Sequence, residues 1–213
     1  YDYFDFAEVF ISSLKENYPD EKLNKIIIND LGLSEEQRIK LQEVCDKVEY
    51  IKTSEEIRTE SSHTEEWREV INQKTIGLKK ICIEENYPIL MIDSDMYVLE
   101  DFSDEILYGC DIQACKQEPV VINGYHIDYI GCWFVIHNEK GKTFIKKWQD
   151  LMPTIKSSHV ETPALCRALE ENSNDFTIKI NDVRKVSSMD YNLNPKIIHF
   201  RTTGFQDLSL KSR

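Results

Sequence analysis

In Tyr87-Pro-Ile-Leu-Met-Ile-Asp-Ser-Asp-Met-Tyr-Val-Leu-Glu-Asp-Phe102, an apolar run from Ile89 to Ile92 breaks off in two carboxylates, Asp93 and Asp95, with Ser94 between them. A short apolar run bounded by Pro88 on one side and acids on the other has the length of a strand buried on both faces. In open α/β sheets ligands bind beyond the carboxyl ends of such strands. Carboxylates placed there are costly unless a cation or a hydrogen-bond donor compensates them. A divalent metal with oxygen ligands is the simplest partner.

Outward from this segment the chain alternates strand and helix signals. Phe6, Val9, Phe10 and Leu14 recur at helical spacing before Pro19. Lys25 to Asn29 and Val48 to Ile51 read as strands, and Ser34-Glu-Glu-Gln37 between them is a capping box that opens a helix. Thr53 to Thr64, which contains His63, reads as a polar loop, and Thr64 as the cap of a long helix running to Glu85. After Phe102, Ser103 is placed to cap a short helix to Tyr108. Asp111 to Cys115 reads as a strand, and Lys116 to Ile127, with Asn123-Gly124, as an excursion or hairpin. Tyr129 to Ile136, Phe176 to Ile180 and Lys196 to Phe200 read as further strands, Glu139 to Leu151 as a helix, and Thr162-Pro163 as the cap and first residue of another. The pattern predicts a single α/β domain over residues 1–213, with a mostly parallel central sheet and helices on both faces.

Length and composition set the outer bounds. The chain has 213 residues, 41% of them hydrophobic and 30% charged, as in a soluble globular domain. A net charge of −12 argues against nucleic acid as a partner. No run is long enough for a transmembrane helix. The six cysteines show no metal-type pairing and read as reduced core thiols of a cytoplasmic protein. A secretory lumen stays open, because the chain starts at Tyr1 and a segment before it is not accounted for.

Lys74 breaks a rule. It falls on the apolar stripe of the long helix, one turn from Val70, Ile71 and Leu78. From spacing alone it snorkels to solvent or reaches a phosphate at the sheet edge. Gly131, inside the strand Tyr129 to Ile136, marks either a close backbone approach or a β-bulge.

The Asp93-Ser-Asp95 segment with its apolar flanks resembles the Asp-x-Asp motif of GT-A type nucleotide-sugar glycosyltransferases, the glycogenin-like and related families. The resemblance runs from Tyr3 to Gly204. It implies a hexosyltransferase-type enzyme and a first strand lying before Tyr1. The donor it implies is a nucleoside-diphosphate sugar, a UDP-sugar above others, and the acceptor a hydroxyl on a glycan, a lipid-linked sugar or a protein. It also implies a divalent cation, manganese or magnesium, held by Asp93, Asp95 and His199. On the donor it places Tyr3 against the base, Lys74 and Ser94 beside the sugar nucleotide, Gly131 beside the sugar, and Arg201 and Gly204 at the diphosphate. Glu161-Thr-Pro-Ala-Leu165 is similar to the family's Asp-Gln-x-Ala-Leu, with glutamate for aspartate and no glutamine. His199-Phe-Arg-Thr-Thr-Gly204 departs from His-x-x-Gly-x-x-Lys in spacing and lacks the lysine. Tyr191-Asn-Leu-Asn-Pro195 resembles the family's late Tyr-Asn turn. An inverting reaction needs a base, for which Asp128, Glu161 and Asp190 are candidates; His126 lies close to Asp128 in the sequence.

Two other readings accompany this one. A strand ending in Asp-x-Asp also resembles the first motif of haloacid-dehalogenase-type phosphatases, but Tyr97 stands where that family has Thr or Val. The altered Glu161 and His199 segments also fit a non-catalytic nucleotide-sugar-binding module of the same fold.

Overall fold

Local signals translate directly into the first elements. In the computed structural model, which describes residues 3–53, 65–156, 160–188 and 190–200, α1 (Tyr3–Asn17) buries Phe10, Ile11 and Leu14. β1 (Ile26–Asp30) and β2 (Val48–Lys52) flank α2 (Glu35–Val44). The capping box forms as read: Ser34 Oγ accepts from the Gln37 N–H at 3.2 Å, and Gln37 Oε1 accepts from the Ser34 N–H at 2.9 Å. Then follow α3 (Glu65–Glu84), β3 (Ile89–Ile92) and β4 (Met96–Val98). The expected loop over 54–64, His63 and the Thr64 cap lie outside the described residues.

The sheet is mixed, not mostly parallel. β1 pairs with β2 in parallel. β3 pairs antiparallel with β6 (Tyr125–Ile136), which pairs antiparallel with β5 (Ile112–Ile122). β5 pairs in parallel with β7 (Ile178–Asp182), and β4 pairs antiparallel with β8 (Ile197–His199). The physical reason lies in Asn123-Gly124. Both residues have positive φ, 51° and 82°, the pair a tight hairpin demands, so β5 and β6 are forced antiparallel. The segment read as a polar excursion is the outer half of this long hairpin, with Val121 63% exposed near its tip.

Three smaller expectations also shift. Ser103–Glu105 is a single 3-10 turn and not a helix to Tyr108: Ile106 is extended, and the Leu107 N–H that would continue a helix donates to Gln113 Oε1 at 2.9 Å. The strand expected at Phe176 to Ile180 lies two residues later, since Phe176 packs edge-on against Phe144. α5 (Glu161–Glu171) begins one residue before its expected cap, Thr162; Val160 precedes it without a side-chain cap, and Pro163 sits in the first turn, where its missing N–H has no helical acceptor to lose.

β6 carries both cores. Trp133 and Val135 point into a cluster with α1, Leu41, Val48 and Val98, while Phe134 and Ile136 point into another built by α3, α4 (Glu139–Leu151) and α5. Phe134 stacks on Phe144 at 5.6 Å and tilts against Trp148 at 5.5 Å. Each such buried side chain contributes about 1.5–3 kcal/mol. All six cysteines are buried free thiols. Among the described residues no helix is long and apolar enough to cross a membrane.

Candidate functional site

β3 delivers Asp93, and its backbone leaves the sheet there, with the Asp93 N–H donating to the Cys132 carbonyl at 3.3 Å. Ser94 and Asp95 make the step to β4. The β4–β8 ladder sets Met96 opposite His199, and the Phe200 N–H donates to the Asp95 carbonyl at 2.9 Å. Two segments about a hundred residues apart in sequence therefore meet at one point. Asp93, Asp95 and His199 each offer a ligand atom, all within 4.8 Å of one another. His199 is buried and turns Nε2 to Asp95 Oδ1 at 3.3 Å.

Electrostatics hold these groups together. Burial alone lowers the His199 pKa, but the Asp95 carboxylate outweighs it and keeps the ring well above the ordinary 6.5. Burial likewise raises Asp95, yet His199 and then Lys74 bring it below the usual carboxylate range. Two carboxylate oxygens and an imidazole nitrogen form a donor set that suits manganese and accepts magnesium. The residues fit the cation the resemblance implies.

Lys74 does not run out to solvent; it turns to the strand end. Its ammonium lies 2.6 Å from Asp93 Oδ1 and 2.7 Å from Glu161 Oε1, and donates to the Gly131 carbonyl at 2.8 Å. The stripe position is explained: α3 turns this part-buried cation towards two acids and a carbonyl. Burial opposes the charge, but Asp93 and Glu161 raise the Lys74 pKa above its ordinary value. Burial pushes the Glu161 carboxyl above its usual 4.5, with Asp93 adding to that and Lys74 opposing it.

Gly131 sits at the strand irregularity and is closely approached. It lies in an irregular stretch of β6, where the register slips from Ala114↔Phe134 to Cys115↔Ile130. A Cβ there would stand 2.2 Å from Glu161 Oε1. The close approach is made by the Glu161 side chain.

Other expected residues stand apart. Asp128 is half-buried on β6, and among the described residues no ion pair or hydrogen bond joins it to the cluster. His126 is exposed near the hairpin tip. Asp190 caps the turn Tyr191–Leu193, accepting from the Asn192 N–H at 2.9 Å. Tyr3 begins α1, but its side chain, Arg201 and Gly204 lie outside the described residues. Ser187 was not singled out by the sequence. Its hydroxyl meets His199 Nδ1 at 3.0 Å, and nothing in the run Val186-Ser-Ser188 marks it.

No family model matches the chain, and no curated protein matches its sequence. Its fold, however, has solved relatives. It is similar to the bifunctional glycosyltransferase WbbM, with a TM-score of 0.64 and 11% identity over 94% of this chain and 44% of that one. It is similar to the glycosyltransferase GlyE of Streptococcus pneumoniae TIGR4, with a TM-score of 0.57 and 16% identity over 95% of this chain and 53% of that one. A glycosyltransferase involved in glycosylation of the major capsid of PBCV-1 aligns with a TM-score of 0.51 and 10% identity over 78% of this chain and 84% of its own length. The chain thus spans less than half of WbbM and about half of GlyE. At these identities the likeness is one of fold: this chain has a glycosyltransferase fold.

Proposed function

We propose that residues 1–213 form one GT-A type domain that moves a hexosyl group from a nucleoside-diphosphate sugar, a UDP-sugar, to an acceptor hydroxyl on a glycan, a lipid-linked sugar or a protein. The observation that carries this reading is the meeting of Asp93, Asp95 and His199 at the end of β3, on a fold shared with glycosyltransferases. The six buried free thiols are compatible with a cytoplasmic setting.

Asp93 and Asp95 would hold a manganese or magnesium ion through carboxylate oxygens, and His199 through Nε2. Such an ion, when bound, neutralises charge that builds on the leaving diphosphate. The chain's own groups prepare that environment. Lys74 keeps a positive charge 2.6 Å from Asp93, a counter-charge for the acids at this partly buried strand end. Glu161 anchors Lys74 from the first turn of α5 and positions it against β6. Ser94 lies between the two acids, within reach of a donor they hold. Asp128, half-buried on β6 and free of the Lys74 cluster, is the candidate base for an acceptor hydroxyl. Glu161, already paired with Lys74, is better suited to hold charge in place than to take a proton. Tyr3 at the base and Arg201 and Gly204 at the diphosphate complete the proposed donor contacts.

Calorimetric titration of UDP, with and without manganese, into the native chain and Asp95→Asn tests the reading. Binding that needs manganese and is lost in the variant supports it. Binding unaffected by both manganese and the variant sinks the metal-dependent donor site.

A further inference from the structure

Three buried groups stand in line behind the acid pair. Cys132 Sγ lies 2.9 Å from Ser187 Oγ, and Ser187 Oγ lies 3.0 Å from His199 Nδ1. Cys132, Ser187 and His199 are at most 6% exposed. The backbone fixes the line from both ends. Ser187 closes the turn after α6 (Val183–Val186), with its N–H donating to the Val183 carbonyl at 2.9 Å. The next residue, Ser188, accepts from the His199 N–H at 2.8 Å. Cys132 touches both halves of the site: its carbonyl accepts from Asp93, and its thiol meets Ser187.

An imidazole offers a cation only the nitrogen that carries no proton, and the partner of the other nitrogen decides which one that is. With Nδ1–H donating to Ser187 Oγ, Nε2 faces the acid pair, donating to Asp95 while it is protonated and offering its lone pair once a cation displaces that proton. A ring turned over about Cβ–Cγ would put a carbon against the Ser187 hydroxyl and forfeit this buried hydrogen bond.

We infer that Ser187, backed by the Cys132 thiol, is the positioning residue that fixes the ring of His199 with Nε2 directed at Asp93 and Asp95. The inference rests on the cation-binding reading of that cluster, and its test separates the two. Two measurements are made on the full chain: the ring N–H proton resonance of His199 by NMR without metal, identified by its loss in His199→Gln, and manganese affinity by calorimetry. In the native chain the ring proton is shifted downfield and exchanges slowly, as a buried hydrogen-bonded N–H does. In Ser187→Ala that resonance moves upfield or exchanges away, manganese affinity falls about tenfold, and the thermal melt changes little. Ser187→Thr, which keeps the hydroxyl, retains both signatures. If Ser187→Ala does not fold, Ser187→Cys replaces it, with the same direction expected. An unchanged ring resonance in the variant overturns the inference, as does unchanged manganese affinity where the native chain binds the ion. A native chain that binds no manganese defeats the cation reading, and the ring resonance then decides the role of Ser187 alone.

Discussion

Asp30 and Asp93 both stand at the carboxyl end of a strand, yet they are satisfied in opposite ways. Asp30, the last residue of β1, accepts from the Gly32 and Leu33 N–H groups at 2.9 and 2.7 Å and from Arg38 Nε at 2.7 Å. All its partners lie within eight residues, and its carboxylate is consumed by its own loop and helix. Asp93 takes one ammonium from the preceding helix and shares its surroundings with a second acid and a histidine from the far end of the chain. The local arrangement closes a turn. The long-range one leaves oxygen atoms of Asp93 and Asp95 directed at a common point, which is the property a cation site needs.

Removing the basic partner on each side separates the two most strongly. Lys74→Met leaves Asp93 and the buried Glu161 without their shared cation, and breaking a buried pair in this way costs about 3–5 kcal/mol. Arg38→Met removes a partly exposed guanidinium and leaves Asp30 its two backbone donors, so it costs about 1 kcal/mol or less. Urea unfolding of both variants checks the contrast; equal losses would erase it. Adding Glu161→Gln to Lys74→Met recovers at least about 1 kcal/mol, because the pair of changes removes a charge together with its counter-charge.

Gly131→Ala comes next in size. The new Cβ meets a Glu161 carboxylate that is held by Lys74 and has little room to retreat, which gives an overpacking cost of about 1–3 kcal/mol. The same change in a Glu161→Ala background costs markedly less. If it does not, the glycine serves the β6 irregularity and not the side chain.

How far these two acids could be read from sequence follows the same division. The capping box of α2 and the break from Ile92 into Asp93 are local facts, and both appear where expected. Lys74 was visible as an anomaly on an apolar stripe, but its partner Glu161 lies 87 residues away, and spacing cannot report a contact of that range. His199 was reached through the family resemblance, since a histidine closing a late strand has no local mark. The strand directions were partly legible: Asn123-Gly124 between two β-rich runs requires antiparallel neighbours, which already contradicts a mostly parallel sheet. Ser187 had no sequence mark at all, because its role exists only where β8 returns beside α6.

A substitution that spares the charge of neither acid then sharpens the comparison in both directions. Asp30→Asn leaves manganese-dependent UDP binding unchanged while lowering stability by about 1–3 kcal/mol. Asp93→Asn abolishes the binding. Calorimetry and urea unfolding on the two variants give a crossed pattern if one acid is structural and the other binds.

The smallest effect is in acid. Burial raises the Asp30 carboxyl, but the Gly32 and Leu33 N–H groups and Arg38 overcome it and hold its pKa below the ordinary 3.8. A carboxyl depressed in the folded state contributes stability that is fully present above its unfolded pKa and is lost as pH falls through the folded one. The contribution of Asp30 is therefore complete above about pH 5 and drains away below about pH 4. In Asp30→Asn, stability starts lower at neutral pH but falls less steeply through that window. Urea midpoints at pH 7, 5, 4 and about 3 decide it: native and variant curves that converge towards acid confirm that the Asp30 charge supports β1 and α2, whereas parallel curves assign the loss to shape alone.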